Sequence, residues 1–170
     1  MLLQAPPGAG KTTGVPLALL EALPKESGRV LMLEPRRLAA KAAAQRLASS
    51  LGEDVGQRIG YRVRLESRVS AATRVEVLTD GLFLRQLQSD PSLEGVACVI
   101  FDEFHERRSE ADLALALLRE ARAVIAPEVR LLVMSATLNL QPLREQLPEA
   151  ALLTSEGRSF PVAVQHQPAR

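Results

Sequence analysis

Two short stretches carry residue types whose spacing points to phosphate chemistry. Ala5-Pro-Pro-Gly-Ala-Gly-Lys11-Thr12 follows the phosphate-loop spacing, with Ala5 where a first glycine is usual. In such a loop Gly8 and Gly10 let backbone N–H groups turn inward around phosphate oxygens, and the following helix adds its positive N-terminus. Lys11 would reach the β- and γ-phosphates, and the Thr12 hydroxyl would bind Mg²⁺. The bland alternative is a glycine-rich turn with a solvated lysine. A short strand before the loop and a helix after it favour the phosphate site. The second stretch, Val96-Ala-Cys-Val-Ile-Phe-Asp102-Glu103, ends an apolar strand in two acids. Asp102 would hold the metal, and Glu103 would orient and deprotonate an attacking water. Alone, such an acidic strand end is common on any surface. Paired with the loop it is specific, because open α/β sheets bind ligands at the carboxyl ends of their strands.

The elements that must position these residues are legible from periodicity. Strands are expected at Leu2–Gln4, Arg29–Glu34, Ile59–Glu66, Val75–Thr79, Val96–Asp102, Arg130–Met134, Ala151–Thr154 and Pro161–Val164. Helices are expected at Lys11–Leu23, Arg36–Leu51, Gly81–Gln88, Ser109–Ile125 and Gln141–Gln146. This alternation predicts an α/β fold with a mostly parallel sheet flanked by helices on both faces. Val96 to Phe101 is apolar on both alternating faces, as in a strand covered on both sides. Leu113, Leu117 and Ala121, four apart, predict one buried helical stripe. Cys98 reads as core. The first strand is short, and Arg158 to Arg170, with Pro161 and Pro168, reads as a linker. The chain is therefore expected to be cut at both ends.

Composition narrows the class. A length of 170 residues with 46% hydrophobic content suits one domain with one sizeable core. No run approaches the ~18 apolar residues of a membrane span, and no secretory signal is visible. A single cysteine excludes an internal disulfide, and a reducing, cytoplasmic setting fits. Net charge is only +1, yet residues 29 to 74 hold ten Lys and Arg against four acids, an excess of 10 − 4 = +6. That excess is enough for one positive face on a near-neutral domain, or equally for a solvated arginine-rich surface.

Taken in order, APPGAGKTT (5–13), EPRRLAA (34–40), GYRVRLES (60–67), LTDGLFLR (78–85), DEFHERR (102–108), SAT (135–137) and GRSFPV (157–162) resemble superfamily 2 helicases of the DEAH/RHA type. Within them the chain is similar to the bacterial HrpB-type branch. Phe104 stands where the family name implies Ala, a variant associated with that branch. The resemblance implies a RecA-like P-loop domain over residues 1–157, with residues 158–170 starting a linker to a second RecA-like domain. It implies ATP or another NTP and Mg²⁺ as cofactors, and single-stranded nucleic acid, RNA ahead of DNA, as partner. Gly8, Ala9, Gly10, Lys11, Thr12 and Thr13 would form the nucleotide loop, with Thr12 and Asp102 at the metal. Glu103, Lys11 and His105 would be catalytic, His105 linking hydrolysis to the second domain.

Ser135 and Thr137 resemble the coupling motif, on a strand that RecA-type order places between the loop strand and the acidic strand. Arg36, Arg37, Thr79, Asp80 and Gly81 resemble nucleic-acid contacts. The chemistry agrees, since arginine grips phosphate bidentately and a helix-opening turn offers N–H groups. Arg46 is similar to a base-stacking arginine, although a solvated helix position is the simpler reading. Four Phe, one Tyr and no Trp leave little for a base-stacking platform, so the grip would be on the backbone. A small-molecule or nucleotide kinase, or a non-catalytic nucleotide-binding module, would share the loop. The kinase leaves PRRLAA, TDGLFLR and SAT unexplained, and the module would not need Glu103.

Overall fold

In the computed structural model, which describes residues 1–136 and 141–156, strands and helices alternate almost throughout. The order is β1 (Leu2–Gln4), α1 (Lys11–Ala22), β2 (Arg29–Glu34), α2 (Arg37–Ser50), β3 (Ile59–Val63), β4 (Glu66–Arg68), β5 (Val75–Thr79), α3 (Asp80–Ser89), β6 (Val96–Phe101), α4 (Ser109–Val124), β7 (Arg130–Ser135), α5 (Gln141–Gln146) and β8 (Leu152–Thr154). Single 3-10 turns lie at Lys25–Ser27 and Phe104–Glu106. Among the described residues the strands form one sheet in the order β4-β3-β5-β2-β6-β7-β1-β8. Every neighbouring pair is parallel except β3 with β4. β7 lies between β1 and β6, the RecA-like order expected from the resemblance.

Strand alternation sorts the core into two layers. Leu31, Leu33, Val99, Phe101, Leu131 and Val133 face one side, where they meet Phe83 and Leu87 of α3 and Leu115 and Leu118 of α4. Their neighbours Val30, Met32, Cys98, Ile100, Leu132 and Met134 face the other side, against Ala40, Ala44 and Leu47 of α2, with Leu17 and Leu20 of α1 packed beside them. Successive side chains on a strand point to opposite faces, so a continuous apolar run demands helices on both. Phe83, Phe101 and Phe104 stack edge to face, with centroids 6.2 and 5.8 Å apart. This column lies directly under the turn that follows Asp102.

Two expectations need correction. The run 59–66 is not one strand but the start of a hairpin: β3 turns at Arg64-Leu65 and returns antiparallel as β4, pairing Val63 with Glu66. Leu65 takes the left-handed conformation, φ 66°, with its side chain 94% exposed. Without a Gly, Asn or Pro to mark it, the turn is hidden in an otherwise strand-like sequence. The buried stripe of α4 is also rotated from the predicted one. Leu113 is 47% exposed and Leu117 only partly buried, whereas Ala111, Ala114, Leu115, Leu118 and Ala121 are buried. The small alanines let the helix lie close to the sheet and to α3, and that approach decides which face is covered. The helix and strand ends otherwise fall within two residues of expectation. The expected strand Pro161–Val164 and the linker 158–170 lie outside the described residues.

Candidate functional site

The carboxyl ends of β1, β2, β5, β6 and β7 open on the same edge of the sheet, and the predicted residues gather there. After Gln4 the chain leaves β1 through residues 5–10 and enters α1. Gly8 and Gly10 both take left-handed backbone, φ 78° and 81°. An ideal Cβ on Gly8 would meet nothing within 4 Å, so the backbone angle, not crowding, is what requires glycine there. Ala5 is buried, and its N–H donates to the Ser135 carbonyl, so the loop is anchored to β7 without a first glycine. The buried Lys11 ammonium donates to the carbonyls of Ala5, at 3.0 Å, and Pro6, at 3.4 Å. It lies across the loop that would cradle phosphate.

The loop and the acidic strand end touch. The Thr12 hydroxyl donates to Asp102 Oδ2 at 2.6 Å, and the Glu103 N–H donates to Asp102 Oδ1 at 2.8 Å. Glu103 itself takes left-handed backbone, φ 50° and ψ 34°. For a residue with a Cβ this conformation is strained, and such strain concentrates at functional sites. His105 is held on both nitrogens. The Ala136 N–H donates to Nδ1 at 3.3 Å, which leaves the proton on Nε2, facing Glu103 Oε2 at 3.2 Å. One imidazole therefore joins the candidate water-activating carboxylate to the backbone of Ser-Ala-Thr. Ser135 is buried at the tip of β7. Thr137 lies outside the described residues.

Sequence reading missed Glu34 as a site residue. Leu33 pairs with Phe101, and the Asp102 N–H donates to the Leu33 carbonyl, so the next residues along the two strands, Glu34 and Asp102, lie side by side. Glu34 is buried, and its carboxyl is pushed up to about 8 by burial first, then by the charges of Asp102 and Glu103 and a hydrogen bond with Asp102. The available signal was the parallel ending of two apolar strands, Leu-Met-Leu-Glu34 and Val-Ile-Phe-Asp102.

The candidate nucleic-acid residues occupy the neighbouring strand ends. Arg36 and Arg37 are exposed at the start of α2, and Thr79 precedes the first turn of α3. The Asp80 carboxylate turns inward instead, buried 3.3 Å from Arg108. Burial raises it to about 6, with Arg108 opposing the shift. Gly81 sits under Glu110, where an added Cβ would come within 3.3 Å of the carboxylate. Arg46 is exposed on α2, as its solvated reading expected.

Acids from outside residues 29–74 offset only part of the positive excess: Glu76 and Glu106 bring it to 6 − 2 = +4, since Glu53 and Glu66 are already counted. Arg29 and Arg62 flank the fully buried Glu76 at 3.2 and 2.5 Å, Lys41 pairs with Glu66 and Arg58 with Glu53. Arg74 donates to the carbonyls of Leu23 and Pro24.

The fold, with its glycine loop joined to the acidic strand end, defines a RecA-like P-loop domain. The chain matches the DEAD/DEAH box helicase family over residues 1–145 and belongs to that family. It is 52% identical over 168 residues to the ATP-dependent RNA helicase HrpB of Escherichia coli (strain K12), an overlap covering 99% of this chain and 21% of that protein. It is 36% identical over 159 residues to the putative ATP-dependent RNA helicase DHX57 of Homo sapiens, covering 91% of this chain and 11% of the relative. Two crystal structures, described as the E. coli DExH-box NTPase HrpB and the E. coli DEAH/RHA helicase HrpB, match with TM-scores of 0.88 and 0.90 at 53% identity. Each match covers 95% of this chain, and 20% and 21% of the respective solved chains. The chain thus spans about a fifth of the length of its bacterial relative.

Proposed function

We propose that residues 1–157 are the ATP-binding half of an ATP-driven motor that moves on single-stranded nucleic acid, RNA ahead of DNA. Residues 158–170 begin the linker to a second RecA-like domain, and the setting is the cytoplasm. The observation that carries this reading is the contact of Thr12 with Asp102, with Glu103 beside it and His105 joining Glu103 to Ala136. A binding module needs the loop. A motor needs in addition the base and a link from the base to a coupling strand.

The donor set suits Mg²⁺. Among the described residues no three His, Cys, Asp or Glu side chains form a metal cage. One hydroxyl and one carboxylate come together instead, hard oxygen donors that leave the remaining positions to phosphate and water, as Mg²⁺ prefers. When bound, the ion neutralises charge on the phosphate oxygens; Thr12 and Asp102 would hold it. Lys11 would exchange two loop carbonyls for phosphate oxygens. Glu103 would orient the attacking water and take its proton. His105, donating from Nε2, would hold that carboxylate and carry its position to Ser135, Ala136 and Thr137. Arg36, Arg37 and the N–H groups at the start of α3 would hold the nucleic-acid backbone.

ATP turnover by the full-length protein, with and without poly-U, tests this reading. Stimulation by poly-U is expected. Turnover that appears only with a small phosphate acceptor would assign the site to a kinase.

A further inference from the structure

The seven residues from Asp102 to Arg108 reach each of the candidate sites in turn. Asp102 meets the phosphate loop, and His105 meets Ala136. Glu106 Oε2 accepts from Arg36 Nη2 at 2.9 Å, and Arg108 donates to the Pro35 carbonyl and to Asp80. The side-chain exposures within the first pair are unequal: that of Arg36 is 69%, whereas that of Glu106 is 27%. Arg36 is thus a guanidinium displayed to solvent, held from behind by a carboxylate of the turn that carries His105. Arg107, at φ 48°, is the second left-handed residue of the segment after Glu103. Its guanidinium lies over the Phe104 ring, 5.9 Å from the centroid. The turn is therefore braced at both ends by strained backbone and by the aromatic column beneath it.

We infer that Glu106 is the residue through which the nucleic-acid grip is coupled to the ATP site. It competes with backbone phosphate for Arg36, so that phosphate arriving at Arg36 releases the turn holding His105. This inference rests on Arg36 contacting nucleic acid, as set out above. An exposed carboxylate–guanidinium pair is worth ~0.2–1 kcal/mol, and a phosphate replacing the carboxylate must overcome that amount. The pairing is weak enough to exchange and is placed where exchange moves something. Arg108 keeps residue 35 against the segment while this happens, which confines the change to the turn.

The test is a double-mutant cycle in the full-length protein, read as affinity for a fluorescein-labelled oligouridine without nucleotide. Thermal melting of each variant confirms that it is folded. Glu106→Gln is expected to tighten binding roughly 1.4- to fivefold, the pair energy expressed as affinity. Arg36→Ala is expected to weaken it, and Glu106→Gln added to Arg36→Ala is expected to change nothing further. In the same proteins, Glu106→Gln is expected to lower the ratio of RNA-stimulated to basal ATP turnover. Tightening of equal size in the Arg36→Ala background would reveal only the loss of a distant negative charge and would overturn the coupling. So would unchanged affinity on Glu106→Gln in the parent. If Arg36→Ala leaves affinity intact, it is the placement of Arg36 on nucleic acid that fails, a different failure and separately visible.

Discussion

The candidate phosphate site and the basic segment are both rich in charge, yet they differ in how that charge is used. At the candidate phosphate site a few half-buried groups meet around the buried Asp102 and beside it: Thr12 and Asp102, Glu103 and His105, His105 and Ala136. In the segment 29–74 ten cations are present, but Arg29, Arg62, Lys41 and Arg58 pair with acids of the same domain, and Arg36 pairs with Glu106. At the phosphate site the types and their spacing specify the chemistry, because glycine-permitted backbone and a strand end fix where each group must be. In the basic segment a count of charges says little about a binding face, because some of the partners, Glu76 and Glu106, arrive from elements beyond the counted window. Glu76, one carboxylate shared by two of the arginines, lies outside the counted window altogether.

The largest expected effect falls within the phosphate site. Glu103→Gln keeps the shape of the side chain and removes the base, so the full-length protein should bind ATP as before and hydrolyse it ~10²–10⁴-fold more slowly. Parent-like turnover would remove Glu103 from the mechanism and erase the main contrast between the two regions. Next comes the buried pairing in the basic segment. Glu76→Ala would leave Arg29 and Arg62, each more than a third exposed, without their shared buried carboxylate, and the lost hydrogen bonds to a charged group cost about 1.5–3 kcal/mol. Urea denaturation should show a loss of that order. A near-neutral result would mean that these arginines turn to solvent and are available as a positive face after all.

Glu34 yields a pH prediction with a definite sign. Its folded pKa, about 8, lies above its ordinary value of 4.5, so between these values the folded chain keeps a proton that the unfolded chain releases. Stability contributed by this group is therefore fully present below about pH 4.5 and is lost as pH rises towards 8. The slope approaches ~1.4 kcal/mol per pH unit inside the window. Glu34→Gln should flatten that part of the stability profile, and an unchanged slope would place the effect elsewhere. Lys11→Ala should weaken ATP binding by roughly 10- to 100-fold, the worth of a charge-assisted hydrogen bond of ~1.5–3 kcal/mol; a fluorescent-nucleotide titration measures it. The smallest effect concerns Arg36 and Arg37. Replacing both with Ala should reduce the log–log salt slope of single-strand binding by ~0.7 for each phosphate that these arginines neutralise in the parent.

What could be read from the sequence follows the same division. The loop at 5–12 and the Asp102-Glu103 strand end were legible because each is set by local backbone, and so was the two-layer sheet, because Val96–Phe101 is apolar at every position. Glu34 was not, since only the register of β2 on β6 puts it against Asp102. The hairpin at Leu65 was not, since the reversal uses left-handed backbone in a residue that rarely takes it. The face of α4 was misread because period alone weighted Leu113 above the alanines that allow close packing. Glu76, the shared partner of Arg29 and Arg62, was invisible for the reason that Glu34 was. Pairing across strands is a property of topology, and spacing along one strand does not contain it.

On the proposed reading this chain is one half of a two-domain motor, with the nucleotide loop and the base but without the arginines that clamp the transferred phosphoryl group. In related P-loop enzymes such a clamp is worth ~10³–10⁵ in rate. The most direct test compares poly-U-stimulated ATP turnover of the 170-residue chain with that of the full-length protein, with Mg²⁺-nucleotide binding measured in both. Weak binding and little turnover are expected of the chain alone, and strong stimulated turnover of the full-length protein. Equal stimulated rates would place the clamping arginines within these residues and contradict the two-domain reading.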